Sequence, residues 1–234
     1  LFDLFDNIRH IFFDLDDTLW DLKKNAREGL LQSIEICHLK ERIKDPETFI
    51  SQYLYFNKLA WEAYHRNQVS MERLRIVRFE WLLEQWGIFD KEVVRKLSGT
   101  YMQVTPSCPH LVEGAKEMLE FLSEKKYTLH ILTNGFPDVQ PVKLRSGKIE
   151  KFFSNVFISD EIGYRKPQPE LYAFVMQRIK ARSEECLMIG DQYLTDIAGA
   201  REAGWQALWF NRENSKRYTY HPQVITLKDI CSFF

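Results

Sequence analysis

Five short apolar runs, each ending in a polar or glycine-containing turn, constrain this chain more than any other feature: Ile11–Phe13, Leu129–Leu132, Val156–Ile158, Leu187–Ile189 and Ala207–Phe210. Runs this short and this uniformly apolar predict strands buried on both faces of a parallel sheet. Amphipathic segments of helical length lie among the later runs, at roughly 112–126, 137–147, 169–180 and 194–203. Strand alternating with helix predicts βαβ units and an α/β fold with a doubly wound parallel sheet.

The first run breaks that rhythm. After Ile11–Phe13 comes a stretch from about 20 to 105 with helical periodicity, rich in long aromatic segments such as FNKLAWEAY and ERLRIVRFEWLLEQW. Because Ile11–Phe13 and Leu129–Leu132 are both needed in one sheet, this stretch is expected to be an inserted all-helical cap domain, 20–105. The α/β core domain is then 1–19 and 106–234. Such a cap is expected above the carboxyl ends of the strands, where open α/β sheets hold their ligands.

Four strand ends carry polar chemistry. The first run leads straight into Asp14-Leu15-Asp16-Asp17-Thr18. In an extended chain Asp14 and Asp16 point to the same side, about 6–7 Å apart. An EF-hand start is excluded, because its glycine position holds Leu19 and its closing glutamate position Asn25. The remaining alternative for an isolated triplet is a solvated acidic turn. The second run ends in Thr133-Asn134-Gly135, offering a hydroxyl, an amide and a glycine whose backbone can approach an anion. Lys166 precedes Pro167, and the fourth run leads to Gly190-Asp191, with Asp196 five residues beyond. Asp191 is placed to reach a metal from the sheet edge, whereas Asp196 can equally cap the next helix or orient its neighbours.

Net charge is −1 from 32 basic and 33 acidic residues, which provides no footprint for a nucleic-acid polymer. The four cysteines are widely spaced and none of the six histidines is paired at metal spacing, so reduced thiols in a cytoplasmic protein are expected. No apolar run is long enough to span a membrane, and the opening Leu-Phe-Asp-Leu-Phe-Asp lacks the basic start of a signal peptide.

Taken in order, FFDLDDTL, LTNG, YRKP and GDQYLTD resemble the four motifs of the haloacid dehalogenase (HAD) superfamily, over residues 11–210. The helical stretch between the first two is similar to the subclass I cap. This resemblance implies a Rossmann-like core and a Mg²⁺-dependent phosphomonoester hydrolase working through an aspartyl phosphate. Asp14 would be the nucleophile, and Asp16 the general acid and base. Asp14, Asp191 and the main-chain carbonyl of Asp16 would bind the metal. Thr133, Asn134 and Lys166 would neutralise the transferring oxygens, Thr133 and Lys166 as part of the catalytic set. Asp17 is expected to orient the loop.

The segment FNKLAWEAYHRNQVSMERLRIVRF, with TNGFPDVQPVKL, further resembles the YjjG-like pyrimidine 5′-nucleotidases of the superfamily, implying a small-molecule nucleotide substrate. Phe136 could contact a base or pack under the cap. Asn57, Trp61, Tyr64 and Gln68 share a helical face and could look down on the substrate or pack within the cap. A phosphatase for a sugar phosphate or other small monoester is the alternative. A catalytically silent interaction module is the reading from a different class.

Overall fold

The computed structural model describes residues 5–125 and 127–234. The first four residues of the N-terminal reading and the last residue of the expected helix 112–126 lie outside them. The sheet has six parallel strands: β1 (His10–Phe13), β2 (Thr128–Thr133), β3 (Phe153–Ile158), β4 (Cys186–Gly190), β5 (Gln206–Phe210) and β6 (Gln223–Val224). Their order is β3-β2-β1-β4-β5-β6, so β1 lies between β2 and β4, with Phe13 paired to Ile131 on one side and Ile189 on the other. The order reverses at β1. A crevice at the carboxyl ends of β1 and β4 is the ligand position this topology dictates.

Each of the five expected strands is present. Ile11, Phe12, Phe13 and Cys186 to Ile189 are fully buried, which explains their unbroken apolar runs. Strand β6 escaped the sequence reading because two residues carry no periodicity. His130 is the polar exception inside β2. It is 1 % exposed, stacks on Phe12 and lies 3.1 Å from both His10 Nδ1 and Asn155 Nδ2. Burial, reinforced by His10, pushes its pKa down to about 4.

The chain divides into two compact units, Leu22–Pro109 and the remainder, which consists of the residues up to Asp21 together with His110–Phe234. The first is helical: α1 (Leu22–Ile36), α2 (Pro46–His65), α3 (Met71–Gln85) and α4 (Lys91–Val104). Asp45, Ser70 and Asp90 accept main-chain N–H bonds from the first turns of α2, α3 and α4, the usual work of N-cap residues. Phe49, Tyr53, Phe79, Leu82, Leu97 and Tyr101 fill this unit's own core.

In the sheet unit, helices α5 (Ala115–Glu124), α6 (Gln140–Ser146), α7 (Ser159–Ile162), α8 (Pro169–Ile179) and α9 (Gly199–Glu202) connect the strands. The expected helix 194–203 begins as a π-helical turn, Tyr193–Ala198, before α9. Among the described residues no helix is long and apolar enough to cross a membrane.

Candidate active site

Strand β1 gives way at once to a tight turn. The Asp14 N–H continues the ladder to the Ile189 carbonyl, and then the Leu19 and Trp20 N–H groups both donate back to the Leu15 carbonyl. Leu15, Leu19 and Trp20 are buried anchors, and Asp17 takes a left-handed φ of 60° to close the loop. Thr18 ties this turn to the end of β4. Its Oγ1 accepts the Asp191 N–H at 3.1 Å, and its hydroxyl donates to Asp191 Oδ1 at 3.3 Å.

Lys166 is the centre of one group of acids. Its Nζ donates to Asp14 Oδ1 and Asp196 Oδ1, both at 2.7 Å, and it is only 2 % exposed. Asn134 holds it there. The Lys166 N–H donates to Asn134 Oδ1 and Asn134 Nδ2 donates to the Lys166 carbonyl, each at 3.0 Å. The Ser159 hydroxyl supports the same clamp, 2.6 Å from Asn134 Oδ1. Thus the Asn134 side chain, read from sequence as an anion contact, is engaged in building the lysine's position.

Among the described residues, Asp14, Asp191 and Asp196 offer carboxylate oxygens that all lie within 4.8 Å of one another. Burial raises Asp14 to about 7 against the pull of Lys166, with Asp196 adding to the rise. Asp191 is pushed well above the ordinary carboxylate range by burial, then by Asp196 and Asp14. For Lys166 the order of effects is reversed in outcome: burial disfavours its charge, but Asp14 and Asp196 outweigh that and raise its pKa. Three carboxylates against one ammonium leave a surplus of negative charge in a buried place, and hard oxygen donors so grouped fit a divalent cation such as Mg²⁺.

Asp196 is itself built in. Its Oδ2 accepts the Gln192 N–H at 2.9 Å, and a Cβ on Gly190 would lie 2.2 Å from that same oxygen. Gly190 is therefore required by the side chain that follows it in space, not by its backbone angles.

Asp16 belongs to a second group. Its Oδ1 accepts from Lys143 Nζ at 2.6 Å and its Oδ2 from Gln140 Nε2 at 3.1 Å. Both partners come from α6, and neither was singled out in the sequence as a site residue. Thr133 Oγ1 accepts from Gln140 Nε2 at 2.7 Å and from the Gly135 N–H at 3.2 Å, which turns its own proton toward another acceptor. Gly135 has no positive φ; a Cβ there would meet the Gln140 amide at 2.2 Å.

In the helical unit, Asn57 is buried and accepts from Arg78 Nη1 at 2.6 Å, while Trp61 and Tyr64 meet edge to face. Helix α2 ends at His65, so Gln68 lies in the turn beyond it rather than on the same helical face. Phe136 is buried.

A family model described as haloacid dehalogenase-like hydrolase matches residues 8–204. The solved structure of the HAD-hydrolase YfnB from Bacillus subtilis, bound to magnesium, is similar with a TM-score of 0.85 and 26 % identity, covering 96 % of this chain and 97 % of that one. Pyrimidine 5′-nucleotidase PynA from Streptococcus pneumoniae is 28 % identical, over 90 % of this chain and 87 % of its own. Glyceraldehyde 3-phosphate phosphatase from Pyrococcus abyssi is 30 % identical, over 87 % of this chain and 81 % of its own.

Proposed function

Because the chain belongs to the haloacid dehalogenase-like hydrolase family, we propose that it is a phosphomonoesterase in which Asp14 attacks phosphorus and Asp16 carries the protons. The observation that carries this reading is the separation of two neighbouring acids. Asp14 sits against Lys166 among buried carboxylates, whereas Asp16 sits apart with Lys143 and Gln140. One acid is set beside the lysine that can compensate a phosphoryl charge, and the other is held apart from it by two hydrogen-bond donors, free of that lysine.

In the first step an Asp14 oxygen forms a bond to phosphorus as the ester P–O bond breaks, and the proton on Asp16 passes to the departing alkoxide oxygen. In the second, Asp16 takes a proton from water as that water's oxygen bonds to the same phosphorus. Phosphate leaves and the Asp14 carboxylate is restored. Lys166, the Thr133 hydroxyl and the main-chain N–H of Asn134 compensate the charge of the transferring oxygens. Mg²⁺, held by Asp14, Asp191 and the Asp16 carbonyl, would supply further screening of the phosphoryl charge. Asp196 orients Lys166 and the loop after β4.

These residues handle only the phosphoryl group, so selection of the leaving group falls elsewhere, and the inserted helical unit is our candidate cap for that role. The sequence resemblance and the similarity to PynA favour pyrimidine nucleoside 5′-monophosphates. The similarity to a triose-phosphate phosphatase supports small sugar phosphates as the second reading.

A magnesium-replete assay should compare dUMP, dTMP and UMP with ribose 5-phosphate, glucose 6-phosphate, glyceraldehyde 3-phosphate and phosphoglycolate. Base stacking worth about 1–3 kcal/mol gives nucleotides roughly a 5- to 150-fold lead in kcat/KM. A tenfold lead for a non-nucleotide defeats the nucleotidase reading. Failure of the folded, metal-loaded protein to hydrolyse any ester defeats the phosphatase reading.

A further inference from the structure

We propose that Gln140 and Lys143 are positioning residues that clamp the Asp16 carboxylate in the orientation from which it passes its proton. This deepens the phosphatase reading and rests on Asp16 being the proton carrier in it.

The two residues lie one turn apart on α6, so their side chains leave the same face of the helix. They take hold of different oxygens. Lys143 Nζ is 2.6 Å from Oδ1 and Gln140 Nε2 is 3.1 Å from Oδ2. A carboxylate gripped at both oxygens cannot rotate about its Cβ–Cγ bond without breaking one of the two contacts. Lys143 is in turn fixed from the other side, its ammonium 4.5 Å from the centroid of the fully buried Trp20 ring. Trp20 belongs to the same turn as Asp16, so acid, lysine and ring close into one local unit.

Two further observations show that the glutamine is held for its donor end. Its Oε1 is buried without a hydrogen-bond partner, a cost the site bears while both Nε2 hydrogens are used, one toward Asp16 and one toward Thr133. The main chain opposite is bare at Gly135, where a Cβ would lie 2.2 Å from Nε2 and 2.3 Å from Cδ. Glycine there makes room for the amide. Through Gln140 the orientation of Asp16 is also coupled to Thr133, so the proton carrier and a hydroxyl facing the transferring group share one positioning element.

The test compares an alkyl monoester, whose alkoxide must be protonated as it leaves, with p-nitrophenyl phosphate, whose phenolate departs without a proton. Values of kcat/KM report on the steps through leaving-group departure and so isolate the acid role. For Lys143→Met and Gln140→Leu, kcat/KM should fall about 10- to 100-fold on the alkyl ester and less than about threefold on p-nitrophenyl phosphate, through kcat rather than KM. Lys143→Arg should recover part of the loss. Gly135→Ala, whose Cβ would displace the Gln140 amide while leaving both clamp residues in the sequence, should reproduce the Gln140→Leu pattern and stands in if a direct variant fails to fold.

Equal losses on both esters would mean that the residues merely support the fold and would overturn the proposal, as would full activity on both. Asp16→Asn separates this from the parent reading. If it shows the leaving-group-dependent loss and the clamp variants do not, the clamp alone is wrong. If Asp16→Asn shows none, the acid assignment falls and the clamp with it.

Discussion

Lys166 and Lys143 are both buried lysines that end against aspartates of the same turn, yet they are provided for in opposite ways. Lys166 meets two buried carboxylates, with a third nearby, and its own main chain is pinned on both sides by Asn134. Lys143 meets one carboxylate, whose side chain is 26 % exposed, and an aromatic face. The first group carries surplus negative charge and the second is balanced one to one. A group with surplus charge is suited to receive a cation and an anion together. A balanced group with access to water is suited to exchange a proton and return to its starting state.

The largest effect is expected at Asp14, the proposed nucleophile. Asp14→Asn keeps the shape but removes the attacking oxygen's charge, and turnover should fall by about 10²- to 10⁴-fold or more while the fold persists. A rate assay beside a circular dichroism melt decides it. Retention of more than about a hundredth of the activity would move bond formation away from the Lys166 group.

Stability should separate the two lysines next. Lys166→Met leaves Asp14 and Asp196 unpaired in a buried place, which costs about 3–5 kcal/mol when one partner of a buried charge pair is removed. Lys143→Met leaves only the partly exposed Asp16, which water can solvate, and about 1 kcal/mol is expected. Denaturant unfolding of both variants in chelator measures the difference. Equal losses would show that the two groups are electrostatically alike.

Magnesium should sharpen the contrast by acting on one group alone. The folded-state values of Asp14 and Asp191 are raised, so between about pH 4 and 7 the metal-free native protein binds more protons than the unfolded chain, and its stability falls as pH rises through that window. A cation that needs those carboxylates ionised should therefore stabilise more at pH 8 than at pH 5.5. At about a hundred times its Kd the gain at pH 8 is about 2.7 kcal/mol, or roughly 5–10 °C in Tm for a chain of this size. Asp191→Asn should abolish the shift and Lys143→Met should leave it. A shift that survives Asp191→Asn would place the ion elsewhere.

Part of the Lys166 group was readable from sequence because Asp14 and Asp191 directly follow β1 and β4, where an apolar run meeting an acid is a local signal. Lys166, between α7 and α8, and Asp196, in the turn before α9, carry no such signal and were picked out by the order of the four motifs. The Lys143 group was not. Gln140 and Lys143 are separated from Asp16 by 124 and 127 residues, and on their own they are two polar positions of a short helix. They acquire meaning only when β1 and β2 become neighbours. The two glycines show the same limit. Gly135 and Gly190 look like turn glycines, but the space they leave belongs to Gln140 and Asp196, which no local pattern announces. Likewise the helical periodicity of 20–105 marked the insertion without revealing that Asn57 is engaged by Arg78 or that α2 stops before Gln68.

The smallest effect comes from a titrating pair removed from both lysines, and it tests whether the sheet carries an acid sensitivity opposite in sign to that of the site. His130 is neutral in the native sheet, where the Asn155 amide can donate to Nδ1 and Nε2–H can donate to His10 Nδ1. Its folded value, about 4, lies below the 6.5 of a free imidazole. Between those values the unfolded chain binds the extra proton, so stability is lost as pH falls from about 7 toward 4, opposite in sign to the contribution of Asp14 and Asp191. From pH 7.5 to 5 the loss from this residue is on the order of 2 kcal/mol. His130→Gln keeps a donor and an acceptor but does not titrate, and the carboxylate contributions cancel when its slope is subtracted from that of the wild type. Denaturant unfolding in chelator at the two pH values should show the wild type losing stability relative to the variant as pH falls. Parallel slopes would show that His130 contributes nothing to the acid sensitivity.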